Sequence, residues 1–125
     1  KMKKLPSFTN SQSIVRQLFN LPEDEDVLDD FSCALRRKVF IHGRLFCTDN
    51  FLCFYASILG YKTKQVIPFN EVTSVKKVKS SFTNIIEIQC KNKTCHKFGS
   101  FVKNNEAFRF IYNMWRNSGY CNEDQ

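Results

Sequence analysis

The stretch Ile41–Gly60, IHGRLFCTDNFLCFYASILG, constrains the fold more than any other part of the chain. Val39, Ile41, Leu45 and Cys47 alternate with Phe40, His42, Arg44 and Phe46. That period of two is the mark of a half-buried strand. Phe51 to Ile58 is a second apolar run, and Asp49-Asn50 lies between the two. Asp and Asn tolerate the positive backbone angles of two-residue hairpin loops. A loop at those two residues sets Leu45 opposite Phe54, Cys47 opposite Leu52 and Phe46 opposite Cys53. The hairpin carries no catalytic set of its own, so it reads as a scaffold.

The flanking segments extend a β-rich plan. Residues 11–19, SQSIVRQLF, predict a short helix capped by Asn10 or Ser11, with Ile14, Val15, Leu18 and Phe19 on one face. Pro22 ends it. Glu23–Asp26 reads as a solvated acidic turn. Val27–Arg37 is a strand with Phe31, Cys33 and Leu35 on one side. After Gly60, Tyr61–Lys64 reads as a loop and Gln65–Phe69 as a short strand whose Pro68 confines it to an edge or ends it. Glu71–Lys79 has three valines and reads as a strand, and Ser80-Ser81 breaks it. Ile85–Cys90, a turn at Lys91–Lys93 and Cys95–Val102 form a final hairpin. Phe108, Ile111, Tyr112 and Trp115 then recur at helical spacing over Glu106–Asn117. The helix is expected to be capped by Asn104 or Asn105 and stopped by Gly119. The plan is α+β or mainly β: about seven antiparallel strands, a short N-terminal helix and a C-terminal capping helix. The domain is expected over residues 11–118, with a disordered segment at 1–10 and a frayed tail at 119–125. Lys1 preceding Met2 suggests a piece of a longer protein.

Charge narrows the function. The 125 residues carry a net +7. Residues 36–103 hold thirteen Lys/Arg against three Asp/Glu, while the segments on either side are slightly acidic. Concentrated positive charge suits an anionic membrane surface or nucleic acid; it also keeps a β-rich surface soluble. Nucleic acid is the weaker match, because zinc-finger spacing, a recognition helix and an aromatic–basic RNA motif are all missing. No run of about 18 apolar residues provides a bilayer-spanning helix, and the basic start KMKKLPSF lacks the apolar core of a signal peptide.

Six cysteines and two histidines offer little chemistry. Cys33, Cys47, Cys53 and Cys90 fall in apolar runs, where cysteine acts as a small hydrophobe. Reduced thiols and a cytosolic setting are the expectation. Cys90, Cys95 and His96 lack metal-site spacing, so neither metal nor cofactor is expected. No Ser-His-Asp set or glycine-rich phosphate loop supports an enzyme. Arg44 is expected in a structural ion pair with Glu71 or Glu87, and His42 facing solvent.

Several stretches resemble the GRAM domain, in order along residues 11–118. They are Phe19-Asn20-Leu21-Pro22-Glu23-Asp24-Glu25, Phe31-Ser32-Cys33-Ala34-Leu35, Gly43-Arg44-Leu45-Phe46, Asn50–Tyr55, Ile67–Val75, and Phe98-Gly99-Ser100-Phe101 followed by Glu106-Ala107-Phe108 and Trp115. The resemblance is greatest to the GRAM domains of Aster/Lam-type sterol-transfer proteins. It implies a PH-like barrel that recognises anionic lipid, phosphatidylserine or a phosphoinositide, on the cytosolic face at endoplasmic reticulum–plasma membrane contact sites. A sterol-containing membrane is a further implied partner. The alternative is a protein-interaction module, as in a Rab-GAP or myotubularin-like regulator, meeting a partner or another domain of its own chain at the Val66–Phe69 edge or the closing helix.

An anionic headgroup needs converging cations, with arginine suited to paired donors and lysine to diffuse attraction. The candidates are Arg36, Arg37 and Lys38, then Lys62 and Lys64, then Lys76, Lys77 and Lys79. Ile58, Leu59 and Tyr61 are candidates for insertion into the headgroup zone, or else strand-end core. Lys91, Lys93 and Lys97 read as a solvated hairpin.

Overall fold

The computed structural model describes residues 9–79 and 83–119. The expectations for residues 1–8, for Ser80-Ser81 and for residues 120–125, Cys121 included, lie outside that range. Helix α1 (Thr9–Phe19) precedes strands β1 (Val27–Arg36), β2 (Phe40–Thr48), β3 (Phe51–Ile58), β4 (Tyr61–Pro68), β5 (Val72–Lys79), β6 (Asn84–Cys90) and β7 (Cys95–Gly99). Helix α2 (Asn104–Arg116) closes the order. All seven strands form one antiparallel sheet in the order β4-β3-β2-β1-β7-β6-β5. The mainly-β plan with a helix at each end is therefore what forms.

The β2–β3 hairpin has the expected register: Leu45 opposite Phe54, Phe46 opposite Cys53 and Cys47 opposite Leu52. Its turn works differently from expectation. Neither Asp49 nor Asn50 takes a positive φ. Glu25 holds the turn instead: its carboxylate accepts from the Thr48 hydroxyl (2.7 Å), the Asn50 backbone N–H (2.6 Å) and the Asn50 side-chain amide (3.0 Å). Glu25 is buried, so the acidic stretch is not simply a solvated charge run. A buried carboxylate persists where donors replace its water.

The segment after Gly60 is also different from expectation. Ile58 pairs with Tyr61, Ser57 with Lys62 and Tyr55 with Lys64, so β4 begins at once and Lys62 and Lys64 are strand residues. Only Leu59 and Gly60 form the loop, with φ of 51° and 85°. Two consecutive positive φ values match the twist of the flanking strands. The sequence offered no Asn-Gly signal, because a leucine occupies the first position.

Inward residues of all seven strands build the main core, with Leu45, Phe54, Phe69, Ile86, Ile88 and Phe98 fully enclosed. Helix α2 adds Ala107, Ile111 and Trp115. The indole of Trp115 donates to the Val72 carbonyl (3.1 Å), which satisfies its one polar atom. Phe108 and Tyr112 stack at the edge of this core rather than within it. The expected asparagine cap is absent: Lys103 occupies the cap position with no side-chain bond. A second, smaller core lies on the outer face of β2–β4. There α1 lays Val15 and Phe19 against Cys53 and Val27. Gly43 makes the strand crossing possible, since a Cβ there would strike the Tyr55 carbonyl oxygen, Ala56 and the Phe54 ring.

Candidate functional site: two hairpin tips

Strand direction brings the β1–β2 and β3–β4 tips to one end of the sheet. In antiparallel order β1 and β3 run the same way, so Arg36 and Ile58 end on the same side. The β6–β7 turn follows a strand running the same way as β1, and Arg37 lies close enough to His96 of β7 to act on its charge. Lys79 and Asn84, where β5 ends and β6 begins, lie at the opposite end.

The first tip is a three-residue loop after the Arg36–Phe40 pair, closed by the Arg37 N–H donating to the Val39 carbonyl (2.9 Å). Arg36, Arg37, Lys38 and Val39 are all exposed there. Phe40 leans over Gly99, whose missing Cβ makes room for the ring. The second tip presents Ile58, Leu59 and Tyr61, with Leu59 93% exposed and Tyr61 82% exposed. The reading of these three as strand-end core does not hold. Lys62 is exposed beside them.

The eight candidate cations do not converge. Arg36, Arg37, Lys38 and Lys62 lie at the tips. Lys64 is two residues further along β4, and its ammonium donates to the Leu18 carbonyl (2.9 Å) near the end of α1. Cations near a helix C-terminus are favoured by its exposed carbonyls. Lys76, Lys77 and Lys79 occupy the far half of β5. Lys77 donates to the Asn105 side chain (2.6 Å) and sits 5.2 Å from the Phe108 ring centre. Arg44 pairs with Asp30 (3.0 Å), not with Glu71 or Glu87; Glu87 faces Lys97 instead. Val39 was missed as an insertion candidate. The signal was an apolar residue directly after Arg-Arg-Lys at a turn.

The thiols of Cys33, Cys47, Cys53 and Cys90 are buried and placed for packing, while Cys95 is exposed. Burial pushes Cys33 and Cys53 up to about 12, and Cys47 well above its ordinary range. Such thiols are poor nucleophiles and poor ligands. His96 is half-buried, and burial first, then the Arg37 guanidinium, lowers its proton affinity.

Known proteins bear on this arrangement. The GRAM domain family model matches residues 13–119. Protein VASCULAR ASSOCIATED DEATH 1, chloroplastic, of Arabidopsis thaliana is 41% identical over 106 residues, which is 83% of this chain and 18% of that protein. Human Protein Aster-A is 36% identical over 116 residues, 90% of this chain and 16% of that protein. The membrane-anchored lipid-binding protein LAM5 of Saccharomyces cerevisiae is 34% identical over 99 residues, 77% of this chain and 14% of that protein. The chain thus spans less than a fifth of these relatives. Among solved structures, the C-terminal domain of an unknown protein from Leishmania infantum superposes with a TM-score of 0.74 at 25% identity, covering 86% of this chain and all of that one. The Vps36 N-terminal PH domain superposes with a TM-score of 0.63 at 14% identity, covering 78% of this chain and 83% of that one, a likeness of fold alone. With seven antiparallel strands and a closing helix, a PH-like likeness and a family match along nearly its whole length, this chain belongs to the GRAM domain family.

Proposed function

We propose that this domain docks reversibly on membranes bearing anionic lipid, phosphatidylserine or a phosphoinositide, and directs a longer lipid-handling protein to that surface. The observation that carries the reading is the presence of exposed apolar and cationic residues on the same two tips. Val39, Ile58, Leu59 and Tyr61 are exposed there, and so are Arg36, Arg37, Lys38 and Lys62. The kinship with LAM5, named a membrane-anchored lipid-binding protein, supports it. The finer reading is a non-enzymatic module of a sterol-transport protein on the cytosolic face at endoplasmic reticulum–plasma membrane contacts.

Magnitudes show why both features are needed. Each Lys or Arg near an anionic leaflet contributes about 1 kcal/mol, so four give roughly 4 kcal/mol, about millimolar affinity. Burying two aliphatic side chains at about 2 kcal/mol each brings the total near micromolar. Charge steers the domain to the surface, and the apolar tips hold it there.

Co-sedimentation with phosphatidylcholine vesicles, with and without phosphatidylserine or phosphoinositide, at low and high salt, tests the reading. Binding should require the anionic lipid and weaken with salt. Equal binding to neutral vesicles would overturn it.

A further inference from the structure

The sheet ends at β5, which pairs with β6 on one side only. Consecutive residues of an antiparallel strand turn their backbone N–H and C=O groups to opposite sides. Alternate residues of Ser74–Lys79 therefore direct theirs away from β6. Among the described residues, no backbone group outside the sheet bonds this stretch, and the Trp115 indole takes only the earlier Val72 carbonyl. Such a row of unused donors and acceptors is a template for a further strand.

Helix α2 runs beside this edge in the opposite direction. Asn105, in its first turn, meets Lys77, and Trp115, in its last, meets Val72. Asn105, Phe108, Tyr112 and Arg116 follow at spacings of three and four, which sets them in a row on the helix. Phe108 and Tyr112 stack with ring centres 5.6 Å apart and are only half-buried. Lys77 sits 5.2 Å from the first ring centre and the Arg116 guanidinium 5.8 Å from the second. An open strand edge, a pair of accessible rings and flanking cations thus lie side by side.

The charge on the edge decides what can pair with it. Lys76, Lys77 and Lys79 are exposed. Among the described residues no carboxylate lies within 4 Å of any of them. Glu87, opposite Lys76, pairs with Lys97 instead, and Lys77 bonds only a neutral amide. A second copy of this edge would set lysine against lysine, which is destabilising. The same lysines that bar self-pairing favour a strand carrying carboxylates.

We propose that the β5 edge receives an extended acidic segment of a partner protein. Its backbone pairs with Ser74–Lys79, its carboxylates meet Lys76, Lys77 and Lys79, and one apolar side chain lies on Phe108 and Tyr112. Strand addition of this kind draws affinity from the main chain and specificity from the alternate side chains. This edge is separate from the two hairpin tips, and Lys79 lies at the opposite end of the sheet from them. The proposal therefore stands independently of membrane docking, and a docked domain can hold the segment at the same time.

The test uses the 125-residue chain and three fluorescent peptides. The first alternates glutamate with valine around a central tyrosine, the second is the same peptide N-methylated throughout, and the third has lysine in place of glutamate. Anisotropy reads affinity, and NMR follows the amides of Ser74–Lys79 and the rings of Phe108 and Tyr112. The acidic peptide should bind saturably, weaken with salt and shift those amides and rings. N-methylation should weaken it at least about tenfold, since it keeps the charge and removes the backbone donors, and the lysine peptide should not bind. Lys79→Glu should also weaken binding about tenfold, the scale of one charge-assisted contact. Lys79 has no side-chain partner among the described residues, so melting should be unchanged in that variant. Equal binding of the N-methylated peptide would reduce the contact to charge alone and overturn strand pairing. Shifts confined to the hairpin tips, or displacement of the peptide by phosphatidylserine vesicles, would overturn the assignment of the edge.

Discussion

Leu59 shows how a single residue can oppose its own local chemistry. A left-handed backbone costs a non-glycine residue about 1–2 kcal/mol, and at 93% exposure no packing offsets that cost. Asparagine suits the same turn better. Leu59→Asn is therefore expected to leave stability unchanged or raise it by up to about 1 kcal/mol, while weakening vesicle binding roughly thirtyfold. Thermal melting and co-sedimentation of the same variant separate the two effects; a variant that melts higher and binds equally well would remove Leu59 from the docking surface. Glu25 works in the opposite direction. It satisfies three donors in the β2–β3 turn, so Glu25→Ala strands them and should cost about 2–3 kcal/mol in urea unfolding. A loss under about 0.5 kcal/mol, the scale of a surface substitution, would show that the acidic stretch is only a charge run after all.

The buried thiols give a pH signature at the same scale. Cys33 and Cys53 are raised from 9.0 to about 12 by burial. Below pH 9.0 both folded and unfolded chains hold these protons, so the stability they support is complete. Above it the unfolded chain releases protons first, and stability falls progressively toward about pH 12. Urea midpoints should decline across that window, and the decline should be shallower in a Cys33→Ala/Cys53→Ala double variant. An identical slope in the two proteins would contradict the assignment.

Among the elements, β2 and β3 depend on one glycine. At Gly43 a new Cβ would come within 2.8 Å of the Ala56 Cβ and 2.9 Å of the Phe54 ring, besides striking the Tyr55 carbonyl. Gly43→Ala should destabilise the domain by about 1–3 kcal/mol through overpacking, measured as a lower denaturation midpoint with an unchanged denaturant slope. Helix α1 shows a different dependence. Its face of Val15 and Phe19 buries against Val27 at the start of β1 and Cys53 on the outer side of β2–β4, and Lys64 bonds its last turn. Lys64 serves this junction, so charge reversal there tests helix docking as much as lipid contact. Lys62, at the tip, is the cleaner probe of the membrane.

Across the whole molecule, α2 seals the main core. Trp115 is fully enclosed and bonds Val72 at the start of β5. Trp115→Ala should cost about 3–5 kcal/mol and lower binding through loss of folded protein, not through loss of surface charge. Added osmolyte should then recover binding along with folding; binding that stays lost in fully refolded protein would place α2 in the docking surface. Lys77, set over Phe108 and bonded to Asn105, belongs to this closing junction. The domain's positive charge is thus divided between the exposed hairpin tips and the far half of β5.

Periodicity determined β1, β2, β6 and the closing helix, the three valines marked β5, and a loop at Asp49-Asn50 set the β2–β3 register. Period-two and period-3.6 burial are local properties, and a one-residue slip would have turned Leu45 and Phe54 outward. The order of family-like stretches carried the PH-like plan. What the sequence could not convey was which distant groups meet. Glu25 looked solvated because Thr48 and Asn50 lie more than twenty residues away. Tyr61–Lys64 looked like a loop because no Asn-Gly marked the turn, whose backbone angles Leu59 accepts only under the twist of its two strands. The sequence groups the eight cations by loop and favours Arg36–Lys38 with Lys62 and Lys64, but a linear sequence does not show which end of a sheet each strand finishes at. Only the folded sheet separated Arg36, Arg37, Lys38 and Lys62 from Lys76, Lys77 and Lys79, since antiparallel pairing sends successive strand ends to opposite sides.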